Sequence, residues 1–232
     1  MVAYFGKLLY NRVMLNEHRI FWREFRETFR TTGAIAPSGK QLGRSLACFV
    51  RETGQGRRIL EVGPGTGAVT ARIVEAMRPG DHLDLVELNE RFVQHLRHLF
   101  TTKAPFAAVA DQVTIHHAPL QELQTAQRFD LVISGLPLNN FAVSEVQELL
   151  NTMLSLLKPG GVLSFFEYVA LRRAKKTLVD KEERQRLRGI GQVLDNAFEQ
   201  HLLRRDLAWR NLPPAWVHHL QTDAENISTD SP

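Results

Sequence analysis

Apolar residues follow two rhythms along this chain. Between Tyr10 and Arg30 the apolar positions Tyr10, Met14, Leu15, Phe21, Trp22, Phe25 and Phe29 recur at helical spacing, while Arg12, Arg19, Arg23, Arg26 and Arg30 fall on an adjoining face. This pattern predicts an amphipathic helix with an aromatic side and a basic side. After a polar, breaker-rich stretch at 31–40, a second helical stripe runs through Leu42, Leu46, Phe49 and Val50. Beyond it the rhythm changes. Short apolar runs at 59–62, His82–Glu87, Val113–His117, 128–134 and 162–168 read as strands. Helical stripes separate them: Val69, Ile73, Val74 and Met77, then a helix opened by Asn89 as cap, then Val146, Leu149, Leu150, Met153, Leu154 and Leu157. Strands alternating with helices predict an α/β fold with a central, mostly parallel sheet. The nearly unbroken apolar run at 128–134 suits a parallel strand buried on both faces. Residues 158–161 read as a turn, 206–217 as a closing antiparallel pair, and the Arg/Lys-dense stretch 172–188 as a solvated face.

The first strand carries the chemistry. It ends in Glu61-Val62-Gly63-Pro64-Gly65-Thr66-Gly67. Glycine at alternate positions lets a backbone with unfavourable φ approach a ligand closely, and the free N–H groups of the following helix face an anionic or polar group. Glu87 ends the second strand at the same sheet edge, where a carboxylate can accept both hydroxyls of a ribose. Gly63, Gly65 and Ala68 also satisfy the loose dinucleotide fingerprint, so the turn alone marks a nucleotide-type pocket without choosing the nucleotide.

The string Glu-Val-Gly-Pro-Gly-Thr-Gly resembles the first motif of class I S-adenosylmethionine-dependent methyltransferases. The resemblance implies a Rossmann-like fold with seven strands and S-adenosylmethionine as cofactor, with S-adenosylhomocysteine as product. Glu61 would then reach the methionine amino group, with Gly63, Pro64, Gly65, Thr66 and Gly67 beneath methionine and ribose and Glu87 and Leu88 at the ribose. Many relatives place an aspartate for the adenine amine after the third strand. This chain has Ala118-Pro119-Leu120 instead, with Glu122 the nearest acid, so backbone groups near His117 and Ala118 or apolar packing are expected to take its place.

Three further segments narrow the resemblance. Thr-Thr-Gly-Ala-Ile-Ala-Pro-Ser-Gly-Lys at 31–40, Ser-Gly-Leu-Pro-Leu-Asn-Asn-Phe at 134–141 and Arg-Asn-Leu-Pro-Pro-Ala at 210–215 resemble bacterial phospholipid N-methyltransferases. These enzymes convert phosphatidylethanolamine to phosphatidylcholine, and ornithine-lipid N-methyltransferases are similar. This likeness adds Ser38, Ser134, Gly135, Leu136 and Pro137 to the cofactor site. It implies stepwise methylation of a lipid amine; Tyr168 and Phe141, at the ends of neighbouring strands, are the candidates beside the acceptor, together with Asn140. Enzymes that methylate nucleobase amines place Asn or Asp and then an aromatic residue where this chain has Ser134 and Leu138, so nucleic acid is not the expected partner. An RNA adenine N6-methyltransferase stays open as an alternative, as does a cofactor-binding scaffold that associates with membranes.

Composition adjusts this picture in a few places. The 232 residues carry a formal charge of +4, which favours an acidic partner, nucleic acid or an anionic membrane face. Arg12, Arg19, Phe21, Trp22, Arg23, Phe25 and Arg26 would serve the second of these if the N-terminal helix lies in a lipid interface; the other reading packs it on the catalytic domain. The single Cys48 cannot form an internal disulfide and suits a reducing cytoplasm. His116-His117 has no Cys or acid at ligand spacing, so no metal is expected. No stretch approaches the roughly 20 apolar residues of a membrane span. The expected organisation is an amphipathic helix at 1–30, a connecting loop and helix at 31–56, a cofactor-binding domain at 57–221 and a disordered tail at 222–232. The expected location is the inner face of the cytoplasmic membrane.

Overall fold

The computed structural model describes residues 37–52, 54, 56–169, 181–211 and 214–224. The expected helix at 1–30, the loop at 31–36, part of the basic stretch after Tyr168 and the end of the tail lie outside these residues.

Seven strands form one sheet in the order β3-β2-β1-β4-β5-β7-β6. They are β1 (Arg58–Val62), β2 (His82–Glu87), β3 (Val113–His117), β4 (Phe129–Ser134), β5 (Leu157–Tyr168), β6 (Leu202–Ala208) and β7 (Ala215–Gln221). β1 to β5 run parallel, and β7 is antiparallel to both β5 and β6. This is the Rossmann-like arrangement expected from the sequence, with seven strands and a closing antiparallel pair.

Both faces of the sheet are covered. On one face α1 (Pro37–Leu46), α2 (Cys48–Glu52), α3 (Thr70–Val74), α4 (Glu90–Thr102) and α5 (Ala104–Ala107) supply Leu42, Val50, Ile73, Leu96 and Phe106 to a core with Ile59, Leu83, Leu85, Ile133 and Val217. On the other, α6 (Val143–Ser155) and α7 (Lys181–His201) pack on each other, α6 against β5 and α7 against β7. There the ring of Phe198 stacks on His218 at 4.5 Å and lies 6.3 Å from Phe165. Two-sided burial explains why β1 and β4 are apolar almost throughout. Asn89 caps α4 as expected, its side chain accepting from the Arg91 N–H at 3.0 Å.

One expectation changes. The turn at 158–161 is part of β5: Phe129 pairs with Leu157 and Leu131 with Val162, so the four residues between bulge out of the ladder. The described part of the Arg/Lys-dense stretch, 181–188, is exposed or half-buried, and it forms the start of α7, which buries Ile190, Leu194 and Phe198 further along.

Candidate active site

β1, β2, β4 and β5 bring their C-terminal ends to one edge of the sheet, and the candidate residues at and just after these strand ends gather there. The turn after β1 passes through Gly63, Gly65 and Gly67, all at positive φ. At Gly65, with φ +55, a Cβ would meet nothing within 4 Å, so open space lies over the backbone here. Gly135, after β4, is needed for a different reason. A Cβ on it would stand 2.7 Å from the Gly63 carbonyl oxygen, and the Gly135 N–H donates to the Val62 carbonyl at 2.9 Å. The two turns touch backbone to backbone. Leu136 packs over Gly63, and Ser134 Oγ accepts from the Leu136 N–H at 3.3 Å. Pro64 and Pro137 are buried, Leu88 is half-buried, Thr66 is exposed, and Ser38 lies in the first turn of α1.

Glu61 is fully buried, and neither carboxylate oxygen has a hydrogen-bond partner. Burial pushes its pKa up to about 8. The Thr70 hydroxyl and N–H, close by but outside hydrogen-bond geometry, offset this only in part, and the Glu87 carboxylate adds to the rise. An orphaned buried carboxylate is costly unless a cation or donor joins it. Glu87 is also buried, and its pKa is raised by that burial. It differs from Glu61 in being anchored. Its oxygens accept from the Gly65 N–H at 3.0 Å and the Asn89 N–H at 2.8 Å, which aims the carboxylate along the turn and leaves lone pairs for further donors. These features fit S-adenosylmethionine: a buried acid in want of a cation, a bare backbone beneath open space, and a second acid with lone pairs to spare. Ala118 and Pro119 follow β3 at the same edge, half-buried, where an adenine would need apolar walls.

On the acceptor side, a 3-10 turn at Leu138–Asn140 follows Pro137. Phe141 is buried and Asn140 exposed, so neither presents a half-open ring or amide as Tyr168 does. Tyr168, half-buried at the end of β5, contacts Phe166 edge-on at 5.1 Å, and burial raises its phenol pKa, so it stays neutral. One residue at this turn escaped sequence reasoning. Arg186 of α7 donates from Nη1 to the Asn139 carbonyl at 2.9 Å and the Phe141 carbonyl at 2.6 Å, and its Nε and Nη2 grip the Glu183 carboxylate. In the sequence it is one cation among many.

The histidines of β3 are engaged by groups that spacing along the chain could not reveal. His116 Nε2 lies 2.7 Å from Asp84 of β2, and His117 Nε2 donates to the Leu88 carbonyl at 3.2 Å. Elsewhere Cys48, Asp206 and His219 bring ligand atoms within 4.8 Å of one another. The Arg204 guanidinium already occupies that cluster, 2.7 Å from the sulfur and 3.0 Å from Asp206. Burial lifts the Cys48 thiol to about 11 and lowers His219 to about 4, which suits a neutral, closed cluster.

The sheet order with its flanking helices is that of a Rossmann-like methyltransferase fold. Residues 59–161 match the model of a methyltransferase domain. The chain is 26% identical over 145 residues to an ornithine lipid N-methyltransferase of Singulisphaera acidiphila, covering 62% of this chain and 74% of that protein. It is 31% identical over 115 residues to highly reducing polyketide synthase NEC1 of Pyricularia oryzae, covering 47% of this chain but only 4% of that much longer protein. Among solved structures, an O-methyltransferase from Bacillus cereus in complex with SAH superposes with a TM-score of 0.60 at 16% identity, over 87% of this chain and 90% of the other.

Proposed function

We propose that this chain transfers methyl groups from S-adenosylmethionine to the headgroup amine of a membrane lipid. Phosphatidylethanolamine, carried stepwise to phosphatidylcholine, is the first substrate to test and ornithine lipid the second. The observation that carries the cofactor is the buried, unpartnered Glu61 carboxylate on the strand that leads into the open Gly65 turn. The lipid reading is supported by the Singulisphaera relative and by the segments around 31–40, 134–141 and 210–215. An anionic membrane surface as partner and a place on the inner face of the cytoplasmic membrane belong with this proposal.

The cofactor supplies an electrophilic methyl on a sulfonium. The rest falls to the chain. Glu61 holds the ammonium of the methionine part, and Glu87, fixed by two backbone N–H groups, takes the ribose hydroxyls. The turns after β1 and β4, locked at Gly63 and Gly135, keep the methyl aimed at the acceptor edge. An alkyl amine has a pKa near that of Lys, about 10.4, so it must reach this edge without its proton, and leaving water lowers that pKa. In the first two transfers Tyr168, a neutral phenol, would accept an amine N–H and so orient the nitrogen lone pair towards the methyl group; the tertiary amine of the third carries no N–H, and there only the ring of Tyr168 would steady it. With the cofactor bound, the nitrogen lone pair would form the new C–N bond as the C–S electron pair returns to sulfur; each of the first two transfers would leave a surplus proton for solvent, and the third, to a quaternary ammonium, would leave none. As methyls accumulate, the aromatic ring also faces a growing cation, worth about 0.5–2 kcal/mol.

Incubation of the full chain with methyl-labelled cofactor and vesicles of phosphatidylethanolamine, vesicles of ornithine lipid, or RNA, in parallel, separates the readings. Label in mono-, di- and trimethylated lipid on thin-layer chromatography is the expected result. Label in RNA alone overturns the proposal, and calorimetry that detects no binding of cofactor or S-adenosylhomocysteine removes its basis.

A further inference from the structure

The geometry points to the β6–β7 hairpin as a docking surface for an anionic phospholipid bilayer, a role that rests on the lipid reading above. β6 is the outermost strand of the sheet. Its residues alternate: Arg204, Asp206 and Ala208 turn inward, while Leu203, Arg205 and Leu207 are exposed. Leu203 is 45% exposed, Leu207 43%, and Trp209, just past the strand end, 65%. An exposed row of this kind is unusual for a sheet edge in water, where charge normally blunts it.

The place of the tip selects the occupant. Ala208 is paired with Ala215, and Ala215 with Tyr168. Trp209 and Arg210 therefore emerge from the sheet edge that carries the candidate site, at the level of the proposed acceptor residue. The described residues on either side of 212–213 are tied to their neighbours: the Val169 N–H donates to the Pro214 carbonyl at 2.9 Å, the Asn211 N–H to the Ala208 carbonyl at 3.2 Å, and the Arg210 N–H to Gln41 of α1 at 3.0 Å.

The chemistry suits a headgroup layer. The Arg210 guanidinium lies 5.7 Å from the Trp209 ring centroid, and that of Arg205 lies 4.9 Å from Phe198 and 5.9 Å from Trp216. An indole at the boundary between acyl chains and water keeps its N–H in a polar layer, and an arginine beside it reaches lipid phosphates. The excess positive charge of the chain draws it to an anionic leaflet. A bilayer contacted through Trp209, Arg210 and Leu207 would bring its headgroups to the edge that holds Tyr168, so a lipid amine need not leave the membrane far to react.

The test uses the full chain with Trp22→Phe and Trp216→Phe, leaving Trp209 as reporter, and vesicles of phosphatidylglycerol with phosphatidylethanolamine. The expected result is a blue shift of Trp209 emission and quenching by lipids brominated in the acyl chains. The second measurement needs no change at Trp22 or Trp216: Trp209→Ser with Arg210→Glu should lower vesicle partitioning about tenfold or more, near 1.4 kcal/mol, with calorimetric cofactor binding unchanged. An unshifted, unquenched Trp209 together with undiminished partitioning of that variant overturns the inference. So does sedimentation showing a dimer without lipid that Leu203→Glu dissociates, since the patch would then belong to a second copy. If the hairpin docks but no lipid is methylated, the proposed function fails and the surface stands; methylated lipid with a silent Trp209 gives the reverse.

Discussion

At the scale of single residues, the candidate site is decided by the different fates of two glutamates at one sheet edge. Glu87 is anchored by two backbone N–H groups, whereas Glu61 has no hydrogen-bond partner and a pKa near 8. In the ligand-free protein the folded state keeps on Glu61 a proton that the unfolded chain, titrating near 4.5, has released. Stability therefore falls as pH rises from about 4.5 through about 8, with Glu87 acting in the same sense. Glu61→Gln should flatten this slope and raise the melting temperature at pH 8, while weakening cofactor binding about tenfold to a hundredfold. Thermal melts at pH 5 and pH 8 with calorimetry of the cofactor check both halves. A variant as pH-sensitive as the parent means that Glu61 is ionised before ligand arrives. Gly65→Ala places a side chain at φ +55 in open space. It should cost about 1–2 kcal/mol of stability yet abolish measurable cofactor binding, because the methyl group points where the ligand lies. Tyr168→Ala is expected to lower kcat far more than cofactor affinity, and equal losses in both assign the residue to packing.

At the scale of elements, the backbone contact between the turns after β1 and β4 and the clamp of α7 on the Leu138–Asn140 turn set the relation of cofactor side to acceptor side. Arg186 is a positioning residue, since it touches carbonyls of the turn and not the site itself. Arg186→Ala should lower kcat about tenfold or more, with cofactor affinity within about twofold, and Arg186→Lys should recover part of the loss as a one-point donor. A matching loss in cofactor affinity shows instead that the whole edge has loosened. This clamp was not legible in the sequence. Asn139 and Arg186 belong to elements whose meeting depends on how α6 and α7 pack together, and the partner atoms are backbone carbonyls common to every residue. By contrast, the capping of α4 by Asn89 and the paired carboxylates at the strand ends were legible, because a cap and a strand end are defined within a few residues of chain.

At the scale of the whole molecule, no helix among the described residues is long and apolar enough to cross a membrane, and the proposed membrane role is tested at the chain's surface. Deletion of residues 1–30 should markedly reduce pelleting with anionic liposomes while leaving cofactor binding intact, read by co-sedimentation and calorimetry. Full retention of pelleting shifts the whole membrane role to the hairpin at Trp209. The order of elements, the parallel core and the glycine turn with its two acids were determined by the sequence alone, since each depends on short-range periodicity or on a motif contiguous in the chain. The bulge in β5, the engagement of His116 by Asp84, the lack of a partner for Glu61 and the grip of Arg186 were decided only by tertiary structure. These features arise from groups far apart in the chain that meet only when the sheet is assembled, and burial then sets their charge and hydrogen bonding.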